Sequence, residues 1–326
     1  MKKQVLTFIT FLGIGTLTLT GCAGANSKKH TKTMQSSKTT KVAKSSTDDE
    51  NTKLPDGAQA MKILASTNWQ GTKVYDQQHH DLTKENQEFI GLAKYDDKTG
   101  QYEFFDKKTG QSRGDAGTFF VTADGSKRIL ISKTKNYQAV VDLTEVTKDK
   151  FVYKRTGKDQ NGQPTEVYVE HIPYKKTQLS FSSPAMDLNT TTGKIQTDTP
   201  GRKILGETLW QGQKVVDQNG NDVTEQNKMF ISLAKFDAKT NKYEFFDLNS
   251  GQPKGDFGYF DVLNNNKLRA HVSIGQNKYG AVLELTELNP QKFTYKRLGK
   301  DQAGNQAIVY VEHVPYTGNF NPAFTF

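Results

Sequence analysis

The chain has 326 residues, a length that suits about two domains. Apolar residues make up 34% and charged residues 24%, enough for a core in a polar chain. A single Cys excludes an internal disulfide framework and a Cys-rich zinc site, and six mostly scattered His argue against a His-cluster metal centre. The formal charge is +9, but residues 1–60 carry nine Lys against Asp48, Asp49, Glu50 and Asp56, so the rest is only mildly basic. No recognised nucleic-acid motif accompanies that charge, and no nucleic-acid partner is expected.

Lys2 and Lys3 precede an uncharged, mostly apolar stretch at 5–19, the length of a signal-peptide core. It ends in Leu19-Thr20-Gly21-Cys22, which resembles a bacterial lipobox. That resemblance implies a diacylglyceryl group on Cys22 and removal of residues 1–21 as a lipoprotein signal peptide. Each buried methylene contributes about 0.8 kcal/mol, so two acyl chains hold a protein stably where one does so marginally. The apolar part is shorter than the roughly 20 residues of a spanning helix. Residues 22–58 are rich in Ser, Thr and Lys and lack aromatics. Such a segment cannot bury enough surface to offset its ordering entropy, which predicts a disordered tether. The combination fits a lipid-anchored protein on the outer face of a Gram-positive cell membrane.

The remainder is a tandem repeat. Thr67-x-Trp69-Gln70-Gly71-x-Lys73-Val74 recurs as Thr208-x-Trp210-Gln211-Gly212-x-Lys214-Val215. Tyr102-Glu103-Phe104-Phe105-Asp106 recurs as Tyr243-Glu244-Phe245-Phe246-Asp247, and Val167-Tyr168-Val169-Glu170-His171 as Val309-Tyr310-Val311-Glu312-His313. The offset is 141 residues early and 142 late. That period matches a whole domain rather than a solenoid unit. The expected organisation is repeat 1 at 59–176, a Ser/Thr-rich linker at 177–201 and repeat 2 at 202–326.

In repeat 1, short alternating runs predict strands at 72–75, 88–95, 101–106, 118–122, 128–132, 137–143, 150–155 and 165–172. Turn signals separate them: Asp97-Lys98-Thr99-Gly100, Lys108-Thr109-Gly110, Asp124-Gly125 and Asn161-Gly162-Gln163-Pro164. Asp81 is placed to cap a one-turn helix at 82–87. Eight strands with hairpin-length links predict an all-β fold, two tandem antiparallel up-and-down barrels of about eight strands each; closure removes exposed sheet edges. A two-sheet sandwich is the alternative.

A Trp on the first strand of such a meander, after Ile63-Leu64 or Ile204-Leu205, resembles the lipocalin-like (calycin) superfamily. The tandem arrangement behind a lipobox is similar to an uncharacterised family of Gram-positive lipoproteins, a domain of unknown function with a lipocalin-like fold. The resemblance supplies no catalytic residues. In the superfamily a late Arg packs over the Trp, which would make Arg155 a cover for Trp69 and Arg297 a cover for Trp210.

Strand parity puts Phe151, Tyr153 and Arg155 on one face and Val167, Val169 and His171 on one face of the next strand. The opposite positions drift between copies, as Val152 to Thr294 and Glu166 to Ile308, so the first sets are read as inward. An inward Arg can grip a carboxylate or phosphate through two parallel hydrogen bonds, and a His there can titrate near neutral pH. The candidate ligand-binding residues are Trp69, Tyr153, Arg155 and His171 with Trp210, Tyr295, Arg297 and His313. Aromatics occupy both parities of the Tyr102–Phe105 stretch, so an outer set is expected against the sister domain or a partner.

No nucleophile-base motif, phosphate loop or calcium-loop spacing is present, and neither a cofactor nor a metal is expected. The expectation is a non-enzymatic binding module for a small amphipathic ligand inside the barrels. The rival is a protein- or polysaccharide-interaction module with solid barrels.

Overall fold

The computed structural model describes residues 53–186, 188 and 194–326. Cys22, the signal-peptide reading and nearly all of the tether lie outside these residues. Helix α1 (Gly57–Ala65) precedes strands β1 (Asn68–Tyr75), β2 (Leu92–Asp96), β3 (Gln101–Phe105), β4 (Ser112–Val121), β5 (Lys127–Ser132), β6 (Tyr137–Val146), β7 (Phe151–Lys158) and β8 (Pro164–Tyr174). Helix α2 (Gly201–Gly206) opens the second copy, followed by β9 (Trp210–Asp217), β10 (Leu233–Phe236), β11 (Lys242–Phe246) and β12 (Pro253–Leu263). It ends with β13 (Leu268–Ser273), β14 (Gly280–Asn289), β15 (Lys292–Lys300) and β16 (Gln306–Pro315). Each set of eight strands closes into an antiparallel barrel, with β1 pairing β8 and β9 pairing β16.

The alternation seen in the sequence becomes inside and outside. Phe151, Val167 and Val169 are fully buried, and Tyr153 and His171 nearly so. In register, Phe151 lies opposite His171 and Tyr153 opposite Val169. The predicted turn helix sits slightly later, as a short 3-10 turn at Gln87–Phe89. Asp81 instead accepts from the Thr83 N–H at 2.9 Å.

The helices were not anticipated. Asp56 caps α1 by accepting from the Gln59 N–H at 2.9 Å, and Ala60, Met61, Ile63 and Leu64 form its buried stripe. The helix is pressed onto the β4–β5 turn at Gly57, whose N–H donates to the Ala123 carbonyl. A Cβ at Gly57 would meet the Thr122 carbonyl oxygen at 2.2 Å, so the close approach requires glycine. Trp69 Nε1 donates to the Leu64 carbonyl at 2.8 Å, and Trp210 Nε1 to the Leu205 carbonyl at 2.9 Å. Each tryptophan therefore satisfies an orphan carbonyl at a helix C-terminus and ties the helix to its barrel.

The outer aromatics meet the chain itself. Leu179 packs on Leu92 and Phe105, and Ser182 N–H donates to the buried Glu103 at 2.8 Å. In the second copy Thr325 donates to the equally buried Glu244 through both its N–H and its hydroxyl. Lys94 lies over Phe181 and Lys235 over Phe324, so the two copies wear equivalent straps. Part of the stretch read as a linker is thus a strap on barrel 1.

The described residues form one compact unit. Ile129 and Ile131 of β5 share an apolar cluster with Leu263, Leu268, Ala270 and Val272 of barrel 2. The contacts are reciprocal. The β2–β3 turn of barrel 1 reaches Leu263 through Gly100, and Asn241 of the matching turn in barrel 2 accepts from the Ala123 N–H. The two barrels meet through like surfaces, as in an isologous pair.

Candidate functional site

Barrel 1 contains a cavity of about 340 Å³. Phe104, Leu130, Ala139, Val141 and Tyr153 form much of its wall, Arg128 and His171 lie deeper, and Glu88, Arg113 and Lys135 reach it from the exposed surface. Four basic residues (Arg113, Arg128, Lys135 and Arg155) face two acidic ones (Glu88 and Asp115).

Of the residues singled out in the sequence, Tyr153, Arg155 and His171 line this cavity. Trp69 does not. It is fully buried, meets Phe151 edge-on at 4.8 Å and serves α1. Arg155 does not cover Trp69 either. Its guanidinium lies 4.1 Å from the Phe89 ring, at the cavity, and Arg297 lies 3.8 Å from Phe230. The superfamily's Arg-over-Trp pairing is therefore absent at these positions. The reason is local: β1 turns Trp69 toward α1 and Phe151, whereas Arg155 sits further along β7, beside the 3-10 turn.

His171 stacks on Phe151 at 4.5 Å and His313 on Phe293 at 4.3 Å. Burial first, then the charge of Arg128, pushes His171 down to about 3. Burial and then Arg269 push His313 down to about 3. Both rings are neutral near pH 7, contrary to the expectation of a neutral-range titration. Each Nδ1 is buried without a hydrogen-bond partner.

Sequence reasoning missed the arginine at the centre. Arg128 is 2% exposed, and its guanidinium lies 4.3 Å from the Tyr153 ring. Its Nη1 donates to the Tyr95 hydroxyl at 2.7 Å, while its Nε has no partner. A signal existed: Arg128-Ile129-Leu130-Ile131-Ser132 and Arg269-Ala270-His271-Val272-Ser273 place an Arg at the same point of an otherwise apolar strand. Asp115 was missed too. Its carboxylate accepts from Tyr102, Ser132 and Tyr137 at 3.1, 2.9 and 2.8 Å. Burial pushes both tyrosine hydroxyls well above their usual range, so they stay protonated donors.

The second barrel repeats this frame. Tyr243 and Tyr279 donate to Asp256, and Arg269 lies 4.5 Å from the Tyr295 ring. Phe236 stands where barrel 1 has Tyr95, and His271 where it has Leu130. Arg269 is as buried as Arg128, and both its Nε and Nη1 lack partners. Among the described residues no group of three His, Cys, Asp or Glu side chains is placed to hold a metal ion.

No curated protein matches the chain. The model of one family matches residues 61–181 and again 202–324, each match spanning a barrel and part of its helix and strap. That double match covers well over half of the sequence, and the chain belongs to the family described as Domain of unknown function (DUF4822).

Proposed function

We propose that this protein is a lipid-anchored, extracellular, lipocalin-like binding protein, without enzymatic activity, that holds a small amphipathic molecule in barrel 1. The observation that supports this reading is the barrel-1 cavity, with its apolar wall, buried Arg128 and charged mouth. Its 340 Å³ falls within the roughly 300–1,000 Å³ of small-molecule sites. A barrel needed only as a spacer or docking surface would have no use for a buried guanidinium beside a void, because burying a charge is costly.

Native mass spectrometry of the chain purified from its own host tests the reading. An added mass that vanishes on denaturation supports it. An apo mass, together with no uptake of added decanoate or decanol, overturns it. The anchor rests on Cys22 at the end of the lipobox-like run. Cys22→Ser is expected to abolish acylation and release the protein from membranes; unchanged mass and fractionation would refute the anchor.

A further inference from the structure

Arg128 is hard to explain as a structural residue. Among the described residues its single hydrogen bond goes to a neutral hydroxyl, Tyr95, and its buried Nε has no partner. Among the described residues, neither Arg128, Arg155 nor Arg113 forms an ion pair. The one buried carboxylate of the cavity, Asp115, is committed to three hydroxyl donors. Rings of Tyr95, Phe151 and Tyr153 surround the guanidinium at 4.3 to 5.8 Å and offset part of its desolvation.

The second copy removes the remaining structural reason. There Phe236 replaces the hydroxyl partner, yet the buried arginine persists as Arg269 with two unpartnered nitrogens. Bonding to Tyr95 is therefore not what the arginine position is for. A buried cation that lacks a protein anion is matched when a ligand brings the negative charge. Arg155, half-exposed over Phe89, supplies a second guanidinium at the same cavity. Leu130, Ala139, Val141 and Phe104 supply an apolar wall.

We propose that the ligand of barrel 1 is an amphipathic anion, its carboxylate or phosphate head held by Arg128 and Arg155 and its apolar body lying along Leu130, Val141 and Phe104. This rests on the cavity reading above and adds the chemical class of the ligand.

The test is isothermal titration calorimetry on the full-length chain carrying Cys22→Ser, with four probes: decanoate, decyl phosphate, decanol and decyltrimethylammonium. At least one anion is expected to bind tenfold or more tightly than decanol, and the cation not at all. The tighter anion identifies the head group. Arg128→Met is expected to lower anion affinity at least tenfold and leave decanol unchanged. Should that variant fail to fold, Arg155→Gln serves instead, with severalfold weaker anion binding at an unchanged melting temperature. Decanol or the cation binding as well as both anions overturns the anion assignment and leaves the cavity reading standing. No binding by any probe overturns both. Anion affinity untouched by Arg155→Gln, and by Arg128→Met where that variant folds, also overturns the assignment, because arginines with a purely structural role would not discriminate head groups.

Discussion

Barrel 1 and barrel 2 are built on one frame and part company around the buried arginine. Trp69 and Trp210 bind their helices in the same way, and His171 and His313 stack on equivalent phenylalanines, Phe151 and Phe293. Asp115 and Asp256 gather equivalent pairs of tyrosine hydroxyls. The frame has been held while Tyr95 became Phe236 and Leu130 became His271. Barrel 1 thus gives its arginine one hydroxyl, whereas barrel 2 leaves Nε and Nη1 of Arg269 bare and places His271 beside it. The comparison teaches that the helix anchor and the strap belong to the scaffold, and that the space around the arginine is where the copies specialise.

The largest effect should be symmetrical. Trp69→Ala and Trp210→Ala each remove a fully buried ring and its bond to a helix carbonyl, and each is expected to cost about 3–5 kcal/mol. Denaturant unfolding would check this; a loss in one barrel only would break the shared-frame account.

The next effect should be asymmetrical. Tyr95→Phe makes barrel 1 resemble barrel 2 and is expected to destabilise by about 1.5–3 kcal/mol, since a bond to a charged donor is lost. Phe236→Tyr should shift stability in the opposite direction by giving Arg269 an acceptor. Equal signs for the two substitutions would contradict the reading of this pair.

Acid should weaken the fold through the histidines. His171 and His313 have folded values of about 3 against an ordinary 6.5, so between those pH values the unfolded chain binds more protons. Their contribution is complete above pH 6.5 and is lost as pH falls toward 3, by up to about 1.4 kcal/mol per unit for each group. His271, held well below its ordinary value by burial and by Arg269, acts in the same direction. Asp261, pushed up to about 6 by burial despite Arg202, acts in the opposite sense between 3.8 and 6. Urea midpoints measured from pH 7 to 4 should decline, and His171→Phe with His313→Phe should flatten the decline. An unchanged slope in the double variant would exclude these rings as its source.

The smallest effect concerns the straps. Glu244→Ala removes the acceptor of both Thr325 donors and should cost about 1 kcal/mol, with faster amide exchange at Thr325. Glu103→Ala should do the same at Ser182. Protection that survives in both variants would mean the straps are held by their aromatic contacts alone.

Much of the fold was legible because it is local. Alternation marked the strands, Gly- and Asn-containing turns separated them, and the repeated segments paired them off. Parity then put Tyr153, Arg155 and His171 at the cavity. Arg128 was not legible, because an arginine at a strand start reads as an exposed end. Its burial is decided by closure, which brings Tyr95 from β2 and Tyr153 from β7 around β5. Trp69 was misjudged for a related reason: its partner, the Leu64 carbonyl, belongs to a helix whose apolar stripe is only four residues long. The strap over β2 and β3 was hidden because 177–183 is polar in composition, and its anchors, the buried Glu103 and the apolar contacts of Leu179, come from distant strands.

The central claim is that barrel 1 takes its ligand inside. Methyl-resolved NMR of the Cys22→Ser chain titrated with decanoate tests it most directly. The account predicts saturable shifts at Leu130 and Val141, which line the cavity, and their loss in Ala139→Phe, which fills it. Shifts confined to exposed methyls such as Met229 and Leu298, unchanged in Ala139→Phe, would contradict it.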